Sequence, residues 1–278
     1  MATADEVPVR FELTAESRGE APGRGRMVGR RVVVVGAGQT DYGVPNQPVG
    51  NGRAIALLLA REGAKVAAVD RNGTAADVTV ELIKNAGGDA TAVIADVADP
   101  RDVDDMVTRS HEWLGGIDGI AYNVGVPGVA GFEASTPEAW DATFAVNLRG
   151  AMLTVRAALP LMAPGSSVVF TSSIGALKPT GRIVAYESSK AALGGLMRAV
   201  AFEGKDRAFR ANIVMPGLID TGLGRSANDS ANRASIPVPI GRHGTAWEVA
   251  YATLFFLSHE SAYVTGQTLA VDGGRTSL

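Results

Sequence analysis

The sequence predicts an α/β protein, a doubly wound and mostly parallel seven-stranded sheet with helices on both faces. Three observations point that way. Strand-like apolar runs alternate with helix-like runs along the chain. The strand-like runs are nearly continuous rather than alternating, as in strands buried on both faces. Hydrophobic residues make up 46% of the 278 and charged residues 20%, with 34 glycines, which suits a globular chain with one sizeable core.

Each element can be justified in order. The first 28 residues, "MATADEVPVRFELTAESRGEAPGRGRMV", lack the apolar core of a signal peptide and are expected to form a flexible tail. Residues 29–278 read as a single domain, with Met27 marking where the compact part begins. The strand candidates are 31–35 (RVVVV), 65–69 (KVAAV), 91–95 (TAVIA), 119–122 (GIAY), 167–171 (SVVFT), 210–214 (RANIV) and 268–272 (TLAVD). Between them, residues 137–162 read as one helix. Ser135 and Glu138 have capping-box spacing and Pro137 suits a first turn. Trp140, Phe144, Leu148, Met152, Val155 and Leu159 then form a stripe that reads as core packing. A later helix buries Leu193, Leu196, Met197 and Val200. Strand–helix alternation gathers the carboxyl ends of the strands at one edge of the sheet, where ligands of such folds bind.

Composition excludes several functions. The formal charge is −3 and no Lys/Arg block occurs, so no nucleic-acid footprint is expected. No apolar run is long enough to span a membrane. With no cysteine there is no disulfide, thiol nucleophile or Cys-bound metal, which is compatible with the cytoplasm. His111, His243 and His259 lack metal-ligand spacing, so no metal is expected. The acids of "DVDDM" (102–106) suit a helix start. "TSSIG" lacks the first glycine of a hydrolase nucleophile elbow.

The chemistry concentrates in "FTSSIGALKPTGRIVAYESSK". Tyr186 and Lys190 are four apart, which places them on one helix face. A tyrosine hydroxyl in water ionises near about pH 10. A neighbouring ammonium stabilises the phenolate and makes it a usable base nearer neutrality. Ser173, closing a strand-like run, is placed to hold a substrate oxygen.

These residues have ordered company. "GAGQTDYGVPNQPVGNG" (36–52) holds two glycine pairs, split by about ten residues, between the first strand and the first long helix. Asp70, "DV" at 96–97, "YNVG" at 122–125, "FAVNLRG" at 144–150, "MPGLIDT" at 215–221 and the terminal "TGQTLAVDGG" follow. Over about residues 30–274 the chain resembles the short-chain dehydrogenase/reductase family. The resemblance implies a Rossmann-type fold and a nicotinamide cofactor. It implies that Tyr186 is the general acid/base, that Lys190 binds the nicotinamide ribose and lowers the Tyr186 pKa, that Ser173 holds the reacting oxygen, and that Asn147 completes a tetrad. An Asn inside a regular apolar pattern also suits a local helix distortion, holding a water for proton relay. Ser173 is preferred over Ser172 because its separation of thirteen from Tyr186 is the family's usual one.

For the cofactor, the resemblance implies contacts from Gly36, Gly38, Gln39, Gly50, Asn51, Gly52, Asp96, Val97, Asn123, Gly125, Tyr186, Pro216 and Gly217, with Ile219 and Thr221 meeting the nicotinamide carboxamide. Asp70 ends the second strand 18 residues after Gly52, where a carboxylate accepts the ribose hydroxyls and repels a 2′-phosphate. Arg71 is the one nearby group able to attract that phosphate, and no basic residue lies between Gly36 and Gly52. NAD is therefore favoured over NADP. Ile174, with Ser173 and Tyr186, would meet substrate, and Arg182 and Val126 would lie near the pocket. Residues 222–239 resemble the family's substrate lid. Gly194 and Gly195 would allow close helix approach in the homotetramer that the family commonly forms.

The chain departs from the family at Tyr122 and Val124, where Asn and Ala are usual. Val35 replaces Thr, and Asn51 replaces Ile. The insertion over 40–49 holds no basic residue and is expected to fold over the cofactor's rim or against another subunit. The leading expectation is an NAD-dependent enzyme interconverting secondary alcohols and ketones. Two alternatives stand beside it. One is an enoyl reductase, whose glycine loop is stretched but whose Tyr–Lys spacing is longer, a lysine position that Leu193 takes here. The other is a non-catalytic NAD-sensing or scaffold protein on the same fold.

Overall fold

A computed structural model describes residues 11–226 and 236–278. The strands are β1 (Arg31–Val35), β2 (Lys65–Asp70), β3 (Asp89–Ile94), β4 (Ile117–Tyr122), β5 (Met162–Thr171), β6 (Arg210–Pro216), the short β7 (Ile219–Asp220) and β8 (Gly244–Thr245), and β9 (Thr268–Val271). Seven of them form one sheet in the order β3-β2-β1-β4-β5-β6-β9. Every pairing in it is parallel. The strand order reverses between β1 and β4, so the crevice at their carboxyl ends is where a ligand of this sheet belongs.

The helices are α1 (Ala15–Arg18), α2 (Asn51–Arg61), α3 (Gly73–Asn85), α4 (Pro100–Leu114), α5 (Pro137–Phe144), α6 (Gly150–Ala158), α7 (Val184–Gly204), α8 (Gly222–Ser226) and α9 (Ala246–Leu257). They cover both faces of the sheet. Val33 and Val35 face one core with Met106, Leu193 and Met197. Val32 and Val34 face the other with Ile55, Leu58 and Leu254. This two-sided burial explains the unbroken valine run.

Three expectations need correction. The helix expected over 137–162 is interrupted: Ala145–Arg149 is a π-helical turn, α6 ends at Ala158, and Met162 already belongs to β5. The extra residue in the wide turn shifts the phase of the helix. Ala151, Val155 and Ala158 are buried, whereas Met152 is exposed. Phe144, Leu148 and Met152 line an open apolar groove with Ala192 and Leu196, so that only Leu148 of these three also touches the core from its edge. The α5 cap is Thr136, whose Oγ1 accepts from Ala139 N, while Ser135 donates instead to the Gly131 carbonyl. Residues 11–28, finally, pack on the domain in place of the flexible tail expected over 1–28, and Met27 is fully buried. Ser17 donates to Glu248, Arg26 pairs with Glu260, and Glu62 accepts the amides of Arg24 and Arg26. Residues 1–10 lie outside the described residues.

Candidate active site

The split glycine turn closes across its insertion. A Cβ on Gly52 would lie 1.7 Å from the Gly36 carbonyl oxygen and 2.8 Å from Asn123 Nδ2, so α2 starts in direct contact with the end of β1. Gly36 has φ +84, a conformation that side chains resist. Gly38 N donates to Asp70 Oδ2 at 2.9 Å, and a Cβ there would strike that carboxylate. Gln39 Oε1 accepts Gly50 N at 2.9 Å and ties the base of the insertion. Within the insertion Gln47 accepts Tyr42 N and donates to the Thr40 carbonyl. Its side chain packs on Gly222, where a Cβ would come within 2.5 Å of Gln47 Cδ.

The N-cap of α2, Gly50, has no side chain to cap the first amides of the helix. Asn51 Oδ1 is buried beside them with no hydrogen-bond partner. An uncapped helix start behind a glycine cradle is suited to a pyrophosphate. Asp70 also accepts Asn72 N, Asp96 accepts Ala98 N, and Val97 is buried with its carbonyl against Gly150. The side chain of Arg71 is exposed. These residues fit a dinucleotide.

Two supporting residues escaped the sequence reading. Arg53, directly after the glycine turn, is directed at α3, where it donates to Thr79 Oγ1 and the Ala75 carbonyl. Thr79 in turn donates to the Ala37 carbonyl. Nothing in the sequence distinguishes this buttress from ordinary helix residues.

The second half of the site stands on α7, β5 and the π-helical turn. Lys190 is 3% exposed. Its Nζ donates to the Thr171 carbonyl at 2.9 Å and the Val124 carbonyl at 3.3 Å, and lies 5.7 Å from the Tyr186 ring centre. Burial pushes its pKa down to about 8. Gly125 lies against this ammonium, because a Cβ there would be 3.0 Å from Nζ. The adjacent serines at the end of β5 divide. Ser172 is buried and donates to the Lys190 carbonyl, whereas Ser173 is partly exposed and accepts Gly175 N at 3.2 Å.

Asn147 sits in the π-helical turn, fully buried. Its amide accepts Val126 N at 2.8 Å and donates to the Val126 carbonyl and Ser189 Oγ, both at 3.0 Å. Ser189 donates onward to the Tyr186 carbonyl. A distortion at Asn147 was expected, and these partners are backbone and serine. Tyr122 occupies the family's Asn position. Its buried hydroxyl donates to the Val146 carbonyl at 2.7 Å, inside the π-helical turn, and burial pushes its phenol pKa up.

The third wall follows β6. Gly217 N donates to the Val271 carbonyl, and a Cβ on Gly217 would strike Asp272. Ile219 is buried in β7, which pairs with β8, and Thr221 Oγ1 accepts Gly224 N. Ile174 is partly buried beside the core. Of the segment expected as a lid, residues 227–235 lie outside the described residues. Among the described residues no group of His, Asp and Glu is arranged to hold a metal, and no helix is long and apolar enough to cross a membrane.

Known proteins resemble this chain in sequence and in fold. A family model described as "Enoyl-(Acyl carrier protein) reductase" matches residues 47–276. The chain is 33% identical over 238 residues to 2-(S)-hydroxypropyl-CoM dehydrogenase 3 of Xanthobacter autotrophicus, covering 82% of this chain and 93% of that one. A short-chain dehydrogenase of Burkholderia cenocepacia in complex with NADP superposes with TM-score 0.83 at 31% identity, over 91% of this chain and 100% of that one. A 7α-hydroxysteroid dehydrogenase complexed with NADH and 7-oxo glycochenodeoxycholic acid gives TM-score 0.81 at 28% identity, over 90% of this chain and 95% of that one. The parallel sheet with its cradle at the β1/β4 switch, the Tyr186–Lys190 pair and these relatives together place the chain in the short-chain dehydrogenase/reductase family, an oxidoreductase family that uses nicotinamide cofactors.

Proposed function

We propose that the protein interconverts a secondary alcohol and a ketone, with NAD as its cofactor. The observation that carries this reading is the buried Lys190 ammonium beside the Tyr186 ring, with the partly exposed Ser173 at the end of the adjoining strand β5. Ser173 Oγ holds the substrate oxygen. Tyr186 takes the alcohol proton in oxidation and returns one in reduction. Lys190 favours the phenolate, because a positive charge in a water-poor site acts strongly on a nearby hydroxyl. Asn147 fixes the Val126 backbone and, through Ser189, the first turn of α7. The nicotinamide, when bound, supplies the two-electron acceptor or donor. Gly38, Gly52 and the α2 start would hold its pyrophosphate, and Asn123, Gly125, Ile219 and Thr221 would border its ring.

The preference for NAD rests on Asp70 at the adenosine end. Its carboxylate disfavours a 2′-phosphate, and Arg53, the nearest new candidate to offset it, is engaged with α3. The same reading takes the enzyme to be a cytoplasmic homotetramer. The apolar groove at Phe144, Leu148, Met152 and Leu196 supports association.

A panel of secondary alcohols with NAD and with NADP, followed by nicotinamide absorbance, tests the reading. Turnover that survives Tyr186→Phe would sink the assignment of the base. The enoyl-reductase alternative keeps one supporting observation, the description of the matching family model. Against it, Leu193 is fully buried in the core and not at the site. Reduction of an enoyl thioester but of no ketone would favour that alternative.

A further inference from the structure

Glu187 is a buried carboxylate for which the proposed chemistry has no use. It follows Tyr186 on α7 and is 7% exposed. An ionised carboxylate out of water is costly unless hydrogen bonds satisfy it. Here one loop supplies them. Oε1 accepts Thr180 N at 2.6 Å and Thr180 Oγ1 at 2.7 Å, and Oε2 accepts Gly181 N at 3.2 Å. Its Cγ lies under Gly175, in the turn that follows Ser173. The side chain thus runs from the helix of Tyr186, beneath the turn of Ser173, to the loop joining them.

That loop is a junction. The Arg182 carbonyl accepts Gly131 N at 2.7 Å, and Ser135 fixes Gly131 from the other side. Lys178 Nζ donates to the Arg275 carbonyl at 2.6 Å. Arg275 belongs to a C-terminal turn organised by Asp272, which accepts Gly274 N, Thr276 N and Thr276 Oγ1. Gly273 in turn accepts Ile240 N. Segments 126–135, 177–183, 238–241 and 272–278 therefore form a hydrogen-bonded collar beside Ser173 and Tyr186. Glu187 ties that collar to the helix of Tyr186 and Lys190.

We propose that Glu187 is a positioning and specificity-determining residue: by anchoring Thr180 and Gly181 it sets the shape of the pocket wall facing the substrate's carbon substituents. This rests on the alcohol–ketone reading above. An apolar residue would fill the same space but leave Thr180 and Gly181 without an acceptor. The collar would then shift while Ser173, Tyr186 and the cofactor cradle stay in place.

The test uses the full chain and three variants: Glu187→Ala, Glu187→Gln and Thr180→Val. Hydrogen exchange across residues 177–183 reads the anchor without turnover. The ratio of kcat/KM for a small and a bulky secondary alcohol reads the pocket. Glu187→Ala is expected to speed exchange at 180–181 by about tenfold or more and to change that ratio by about tenfold. The affinity for NAD, read by fluorescence titration, is expected to stay the same. Glu187→Gln keeps a carbonyl oxygen for Thr180 and should restore most of the ratio. Thr180→Val leaves α7 untouched and should shift the ratio in the same direction by less. Unchanged exchange in Glu187→Ala, or faster exchange with an unchanged ratio in both Glu187→Ala and Thr180→Val, overturns the proposal. A wild-type chain that turns over no alcohol but shows the faster exchange in Glu187→Ala would sink the alcohol–ketone reading, and with it the specificity role, leaving only the anchor.

Discussion

Helix α7 and the α5–α6 pair both carry site residues on an amphipathic frame, yet they do it in opposite ways. Helix α7 runs regularly from Val184 to Gly204, and Leu193, Met197 and Val200 are buried on one face. Its regularity is what sets Tyr186 and Lys190 side by side. Between α5 and α6 the helix widens for one turn, and Asn147 stands in that turn. The irregularity is what aims Asn147 at Val126 and Ser189. A period of 3.6 reads the first helix correctly and loses the second, because one extra residue rotates everything downstream by about 100°.

The difference can be broken experimentally at several points. The largest effect belongs to the regular helix: Tyr186→Phe should lower kcat by about 10²–10⁴-fold while sparing cofactor affinity, measured by turnover and by titration with NADH. Next, equivalent truncations should separate the two stripes. Leu193→Ala should cost about 2–5 kcal/mol in urea unfolding, as for a core leucine. Met152→Ala, on the exposed side of the slipped helix, should cost no more than about 0.5 kcal/mol in the monomer, as for a surface position. Equal costs would mean that the phase shift is wrong.

The turn itself can be probed through its brace. Tyr122→Phe removes the hydroxyl that satisfies the Val146 carbonyl, and a buried acceptor without a partner costs about 1–3 kcal/mol. If the π-helical turn matters to Asn147, kcat should fall in this variant by more than unfolding alone explains at a temperature where the chain stays folded. Activity equal to wild type would make the brace purely structural.

The smallest effect is a slope. Burial lowers the Lys190 pKa from 10.5 to about 8 in the folded chain. Between those values the unfolded chain binds the proton that the folded chain has released. Stability therefore gains from this group as pH rises from about 8 to 10.5, and below 8 its burial is a constant penalty. Lys190→Met should flatten that part of the stability–pH curve. An unchanged slope would show that the ammonium is better solvated than its burial implies.

Much of the fold and of the candidate site was legible because its signals are local. All seven sheet strands overlap their apolar runs, and β1, β2, β4 and β6 are buried along nearly their whole length, which admits little else. Asp70 and the two glycine pairs could be aligned despite the insertion, because the spacing from Gly52 to the end of β2 reflects one helix and one strand. The glycines carry a steric message of their own: Gly38 and Gly52 stand where a Cβ would collide with Asp70 or Gly36. Other features had no local signal. Ser135 has capping-box spacing from Glu138, yet the path of the chain through Gly131 takes its hydroxyl and leaves the cap to Thr136. The docking of residues 11–28 depends on Glu62, Glu248 and Glu260, which lie far away in sequence.

By itself, then, the sequence determined the layer order of the fold, the face shared by Tyr186 and Lys190, and the place of Asp70 at the end of β2. These follow from periodicity and from spacings within single elements. Only the tertiary structure decided that Asn147 spends its amide on Val126 and Ser189, that Arg53 serves α3, that the 40–49 insertion lies against Gly222, and that Glu187 holds the loop beside the site. The physical reason is common to all four. A polar side chain takes the partner that the packed chain brings within about 3 Å, and that partner is set by how separate elements meet rather than by the residue's own neighbours.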